Sequence, residues 1–191
     1  MTRLDFTITF HSPFRVARGQ AGNGTHDTVE PNPLPATSLA GVLRATAKTL
    51  LGNDNDVIGE VFGSDAHPSP WRFSAARPLP RGSTPAEQAT GDWQPTTRAA
   101  RVRIDQDTGT AQDRMLVLAE HTGADQARFS ITKFRRLAPE EIDKHKAVLK
   151  VAAQATRSLG GWRRRGFGWV GIRCDELVDE ETARTVLELK R

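Results

Sequence analysis

Two one-sided helical stripes, each bracketed by runs of alternating residues, constrain this chain more than anything else in its sequence. The first stripe is Leu39, Val42, Leu43, Ala47, Leu50 and Leu51, with Thr37 or Ser38 placed to cap its start and Gly52 to stop it. The second is Val148, Val151, Ala152, Ala155 and Leu159. Pro139, Glu140 and Glu141 suit its first turn, and Gly160-Gly161 suits its end. Leu4, Phe6, Ile8 and Phe10 alternate with Asp5, Thr7 and Thr9 ahead of the first stripe, as a half-buried strand does. Trp71–Ser74, Phe129 with Ile131, and Val170, Ile172 and Cys174 supply three more strands. The order is strand, helix, strand, insertion, strand, helix, strand. That order predicts an α+β fold of the ferredoxin-like, RNA-recognition type: a four-stranded antiparallel sheet with two helices on one face. The plan alone assigns no function.

The insertion adds an arm. Arg101–Asp105 and Arg114–Leu118 flank a polar turn at Gln106–Thr110, which predicts a projecting β-hairpin. Met115 and Leu116 are expected to pack within that arm or, as the bolder alternative, to wedge between bases. The expected division is one domain over 1–191, with a palm at 1–76 and 127–175, an insertion near 77–126 and a C-terminal helix near 179–190.

Composition narrows the partners. The 191 residues are 37% hydrophobic and 26% charged, enough for an ordinary core, with a net charge of +4. A mild excess of base favours a polyanion. The bases are concentrated, at Arg135-Arg136 and Arg163–Arg165, while acids gather at Glu140-Glu141 and Asp175–Glu181. No apolar run reaches the ~18 residues of a membrane span, so no membrane is expected as a partner. Neither does the start of the chain carry an apolar signal core. The single cysteine, Cys174, fits a reducing cytoplasm. The five histidines show no metal-ligand spacing.

Gly160-Gly161-Trp162-Arg163-Arg164-Arg165-Gly166-Phe167-Gly168 joins the second helix to the last strand. Its glycines, including Gly161, Gly166 and Gly168, let backbone approach a ligand closely. Its N–H groups suit phosphate, and Arg163, Arg164 and Arg165 offer forked donors and planar faces. Trp162 and Phe167 are stacking candidates. The plainer alternative is a helix cap followed by a solvated basic turn. The segment lacks the Gly-Lys-Ser/Thr ending of a nucleotide-binding loop.

With that loop in view, the chain resembles the RAMP superfamily of CRISPR-associated proteins, and within it the backbone subunits of type III effector complexes. The Gly-rich loop before the final strand is the superfamily's signature. Leu34–Arg44 resembles the motif that opens the first helix, Val61–Ser64 the Phe-Gly-Ser after it, and Trp71–Ala76 the next strand. Arg101–Ala111 resembles the arm called the thumb. The resemblance implies a CRISPR (guide) RNA-binding subunit in antiviral defence. Its implied partners are guide RNA, target RNA, copies of itself and other effector subunits. RNA-binding candidates are then Arg18, Ser38, Arg44, Arg101, Arg103, Gly161, Arg163, Arg164, Arg165, Gly166 and Gly168. Capping explains Ser38 equally well, and solvation explains Arg44.

The resemblance also implies cleavage of guide-paired target RNA by an aspartate in the loop after the first strand, where Asp27 stands. The chemistry is attack of a ribose 2′-hydroxyl on the adjacent phosphate. The Asp27 carboxylate would bind a divalent metal (Mg²⁺ or Mn²⁺) or orient the nucleophile. Ordinary turn duty is the alternative for Asp27. Ala36, Ala40 and Ala75 depart from the family's usual Gly, Lys and Asp, and 27–34 is short. Those departures motivate a second reading as a non-catalytic binding or capping subunit. A repeat-RNA-processing endoribonuclease is a third.

Overall fold

The structure, a computed structural model, describes residues 2–22, 24–29, 32–82 and 89–190. Part of the insertion expected near 77–126 lies outside them. The fold is mixed α/β. Its elements run β1 (Arg3–Phe10), α1 (Ala36–Leu51), α2 (Asp56–Phe62), β2 (Trp71–Phe73), β3 (Arg77–Pro78), β4 (Thr97–Arg101), β5 (Val117–His121), β6 (Gln126–Lys133), α3 (Pro139–Ala155), β7 (Val170–Cys174) and α4 (Glu180–Glu188).

The main sheet has the order β2-β6-β1-β7, with every pairing antiparallel. Its outer position beside β6 is broken in two, so it counts five strands rather than the expected four: β2 pairs with 131–133, and β3 with 127–128. Ser74 bridges the break, its N–H donating to Ser130 O and its Oγ accepting from Ser130 N at 2.9 Å. β4 and β5 form a separate two-stranded antiparallel sheet. Its strands lie closer to the main body than the expected 101–105 and 114–118. Pairing persists where Ala119 is fully buried, whereas Val102 and Ile104 beyond it are about half exposed.

Period-two alternation puts Leu4, Phe6 and Ile8 on one face of β1. There Phe6 stacks on its register partner Phe129 at 4.9 Å between ring centres. Leu39, Leu43 and Ala47 from α1, and Val148, Leu149, Ala152 and Ala153 from α3, close the same core. Each fully enclosed leucine contributes about 1.5–3 kcal/mol.

Three boundaries differ from the sequence expectation. Pro35, not Thr37 or Ser38, stands at the N-cap of α1, and no side chain caps that helix. The Asn55 side chain caps α2, a helix too short for periodicity to reveal, by accepting from Val57 N at 3.2 Å. α3 stops at Ala155, short of Gly160. Thr156 Oγ1 bonds Ala152 O at 2.8 Å and meets Thr46 Oγ1 at 2.9 Å, which joins α3 to α1. Arg157–Leu159 then run extended against 168–170. The C-terminal helix falls where expected.

One buried polar pair makes a pH prediction. Trp71 Nε1 donates to His145 Nδ1 at 3.1 Å, so that nitrogen must be unprotonated. Burial first, and the Lys144 ammonium next, hold the imidazole below its usual range. The unfolded chain therefore takes up the proton first. The stability this contributes is complete above about pH 6.5 and is lost as pH falls below it. Chemical unfolding at about pH 7.5 and 5.5 should show a drop that His145→Gln, which keeps an acceptor for Trp71, makes shallower. An equal drop in that variant would assign the effect elsewhere.

Candidate nucleic-acid interface

After β1 the chain turns back against the base of the hairpin. Phe14 and Thr122 exchange backbone hydrogen bonds at 2.8 and 3.0 Å. The next residue, Arg15, is buried although it lies in a loop. Its Nε donates to Glu120 O at 3.1 Å, and its Nη2 to Asp27 Oδ2 at 2.6 Å. The other carboxylate oxygen of Asp27 accepts from Gly19 N at 3.1 Å. Residues 26–29 lie along β5: Asp27 bridges Ala119 in parallel, and Glu120 Oε2 accepts from Val29 N. Asp27 is thus the counter-charge of a buried guanidinium and a pin for its own loop.

The Gly/Arg loop is tied at several points. Gly161 N donates to Arg15 O and Gly168 N to Pro13 O, both at 2.8 Å. Leu159 N donates to Gly168 O at 2.9 Å. A side chain at Gly160 would lie 2.2 Å from Arg15 O, and one at Gly168 1.9 Å from Leu159 O. The close approach these glycines allow is therefore to the protein's own backbone. Gly161 needs no positive φ, and its Cβ position is open to ordinary contact. Arg163–Arg165 form a single 3-10 turn between Trp162 and Gly166, both left-handed. For a tryptophan that conformation is uncommon and strained.

Trp162 is the hub. The Arg15 guanidinium sits 4.6 Å from its ring centre and that of Arg101, from β4, 5.3 Å. Phe167 meets Trp162 edge-on at 5.7 Å and His121 at 5.1 Å. His121 Nε2 lies 2.7 Å from Thr97 Oγ1. Burial, then the Arg15 guanidinium, holds the His121 imidazole below its usual range.

The structure thus gathers Asp27, Arg101 and the Gly161–Gly168 loop around Arg15 and Trp162. Arg163, Arg164 and Arg165 are exposed, with no ion pair or side-chain hydrogen bond among the described residues. No hydrogen bond, ion pair or ring contact among the described residues joins the side chains of Arg18, Ser38, Arg44 or Arg103 to this cluster. Arg18 and Arg103 are exposed. The Arg44 Nε is buried without a hydrogen-bond partner among the described residues. Beyond β4, Asp105 organises the hairpin tip: its Oδ1 accepts from Asp107 N and Thr108 N at 3.0 Å. Met115 and Leu116 are about half exposed, contrary to the expectation that they pack within the arm, because the tip has no opposing layer among the described residues. Among the described residues no three His, Cys, Asp or Glu side chains gather as metal ligands. No described helix is long and apolar enough to cross a membrane.

A mixed α/β chain with a Gly-rich loop before its last strand defines a class, and the comparisons give its family. The RAMP superfamily model matches residues 7–171, and the chain belongs to that superfamily. No curated protein matches it in sequence. Among solved structures it is similar to a type III-B Cmr-beta structure bound to cognate target RNA. The identity is 16% and the TM-score 0.60, covering 90% of this chain and 58% of that one. It is also similar to a chain of type III-B Cmr-beta in the apo state, at 14% identity and a TM-score of 0.61, covering 91% of this chain and 97% of the other. At these identities the likeness is one of fold.

Proposed function

We propose that this chain is a guide-RNA-binding backbone subunit of a type III CRISPR effector ribonucleoprotein. One observation carries the reading: an exposed turn of three arginines, unpaired among the described residues, tied at both ends to the body and set beside an indole that two further guanidiniums cover. Membership of the superfamily and the fold likeness to Cmr-beta support it. In this reading the β2-β6-β1-β7 sheet with α1 and α3 is the ferredoxin-like palm, and the β4–β5 hairpin is the thumb. Guide RNA, target RNA, further copies and other effector subunits are the partners, in the cytoplasm.

Guide-RNA affinity should fall with salt as phosphates release counterions. Replacing Arg163, Arg164 and Arg165 by alanine should reduce the log–log slope by about 2, at ~0.7 for each single-strand phosphate that is no longer neutralised. An unchanged slope in a fluorescence-anisotropy titration would refute the reading.

Cleavage of target RNA through Asp27 is the finer part of the proposal. It requires the carboxylate to hold Mg²⁺ or Mn²⁺ with RNA and water as the remaining ligands, or to orient the 2′-hydroxyl. The Arg15–Asp27 pair favours the second reading, a non-catalytic subunit of the same assembly. Metal-dependent cuts in guide-paired RNA by the assembled complex, lost in Asp27→Asn while RNA stays bound, would select the catalytic one.

A further inference from the structure

A second polar cleft lies away from Trp162, over the edge strand β7 and the face of the main sheet turned from the helices. Its volume is about 620 Å³, within the range of small-ligand sites. Thr7 and Thr9 form part of its floor, on the face of β1 opposite Phe6 and Ile8. Thr7 is only 8% exposed, and its Oγ1 has no hydrogen-bond partner among the described residues. A buried hydroxyl left unsatisfied calls for a partner. Arg157, from the extended segment after α3, and Arg173, from β7, line the cleft, and neither has an ion pair or side-chain hydrogen bond among the described residues. Asp175, the acid in the lining, is tied to Arg128. At one end His11 lines the cleft and meets the ring of Trp169 at 5.2 Å. Trp169 is 61% exposed. Gly171, the register partner of Thr9, adds no side chain beside Arg173, the register partner of Thr7, which keeps the cleft open.

We infer that this cleft is a separate binding site for single-stranded RNA, with a base stacked on Trp169 and phosphate at Arg157 and Arg173, over a floor that includes Thr7 and Thr9. Two such guanidiniums beside an exposed indole complement a polyanion with flat faces, which a protein surface seldom supplies. The site uses none of the residues around Trp162 and does not rest on the guide-RNA reading.

The test is photocrosslinking of the full chain to a 4-thiouridine-substituted hexauridylate, with adducts mapped by mass spectrometry and affinities measured by anisotropy. Adducts should appear at His11 or Trp169. Trp169→Ala should weaken binding to this face about tenfold, the size of one lost base stack. Arg157→Ala with Arg173→Ala should do the same. These adducts should persist when Arg163–Arg165 are replaced by alanine. Gly171→Val guards against misfolding: a Cβ there meets only His11 Nε2, at 3.6 Å, and the backbone needs no positive φ, so the variant narrows the cleft beside His11 without a backbone clash. It too should remove the adducts. Adducts confined to 160–168, with Gly171→Val without effect, would overturn this site and leave the guide-RNA reading standing. No binding at either place would overturn both. A Trp169→Ala variant that alters subunit association in sedimentation but not RNA crosslinking would mark a protein interface and overturn the inference.

Discussion

Asp27→Ala is expected to lower the stability of the chain by about 3–5 kcal/mol, whether or not the protein cuts RNA. The Arg15 guanidinium is 5% exposed, and Asp27 is its single carboxylate partner among the described residues, at 2.6 Å. Removing the carboxylate strands the charge of a side chain that is almost wholly enclosed. Gly19 N loses its acceptor, and the segment that bridges Ala119 loses its tie to 15–19. Denaturant unfolding should show the loss, and Arg15→Met with Asp27→Ala together should recover much of it, since a paired removal strands no charge. If Asp27→Ala unfolds with the wild-type midpoint, the ion pair carries no weight. A cleavage assay on Asp27→Ala alone would therefore confuse lost chemistry with a loosened loop, and Asp27→Asn, which keeps one of the two acceptors but not the charge, must be read beside its own unfolding midpoint.

Gly168→Ala should cost about 3 kcal/mol, or about 6–12 °C in Tm for a chain of this size. Its φ of 72° disfavours any side chain, and the added carbon would sit 1.9 Å from Leu159 O, a backbone atom that cannot swing aside. Gly166→Ala makes the control. Its φ is 83°, but nothing lies within 4 Å of the added carbon, so only the left-handed penalty of about 1–2 kcal/mol applies. Equal Tm values for the two variants would show that the pairing between 159 and 168 does not hold the loop.

Periodicity made most of the fold legible. The stripes of α1 and α3, and the alternation in β1, β6 and β7, report how each element meets one core, and that core is where the structure puts them. What failed has physical causes. α2 is a seven-residue helix entered through Asn53-Asp54-Asn55, a run that reads as a turn until Asn55 is seen to cap it. α3 ends before the glycines, at Thr156, whose N–H bonds Ala152 O and Ala153 O and whose hydroxyl bonds Ala152 O and meets Thr46. At the site, the Gly/Arg loop stood out by composition, whereas Asp27 was singled out by the family resemblance alone. Arg15 did not, since a buried arginine between Phe14 and Val16 in an irregular loop leaves no periodic mark. His121 was likewise hidden, because its role depends on Phe167 and Arg15 arriving from distant parts of the chain.

The interrupted strand beside β6 limits how an extended chain from any neighbour could add to this sheet. A continuous edge would offer a row of free N–H and C=O groups to any neighbour. Here that border is two short runs, one ending in Pro78, which has no N–H to give. The opposite border is partly occupied by Arg157–Leu159 against 168–170. Among the described residues, only 171–174 of β7 are left as an uninterrupted border without a strand beside them. A neighbour docking along these borders would engage side chains and loops, where each position can be altered singly. Backbone pairing, by contrast, would accept almost any extended chain.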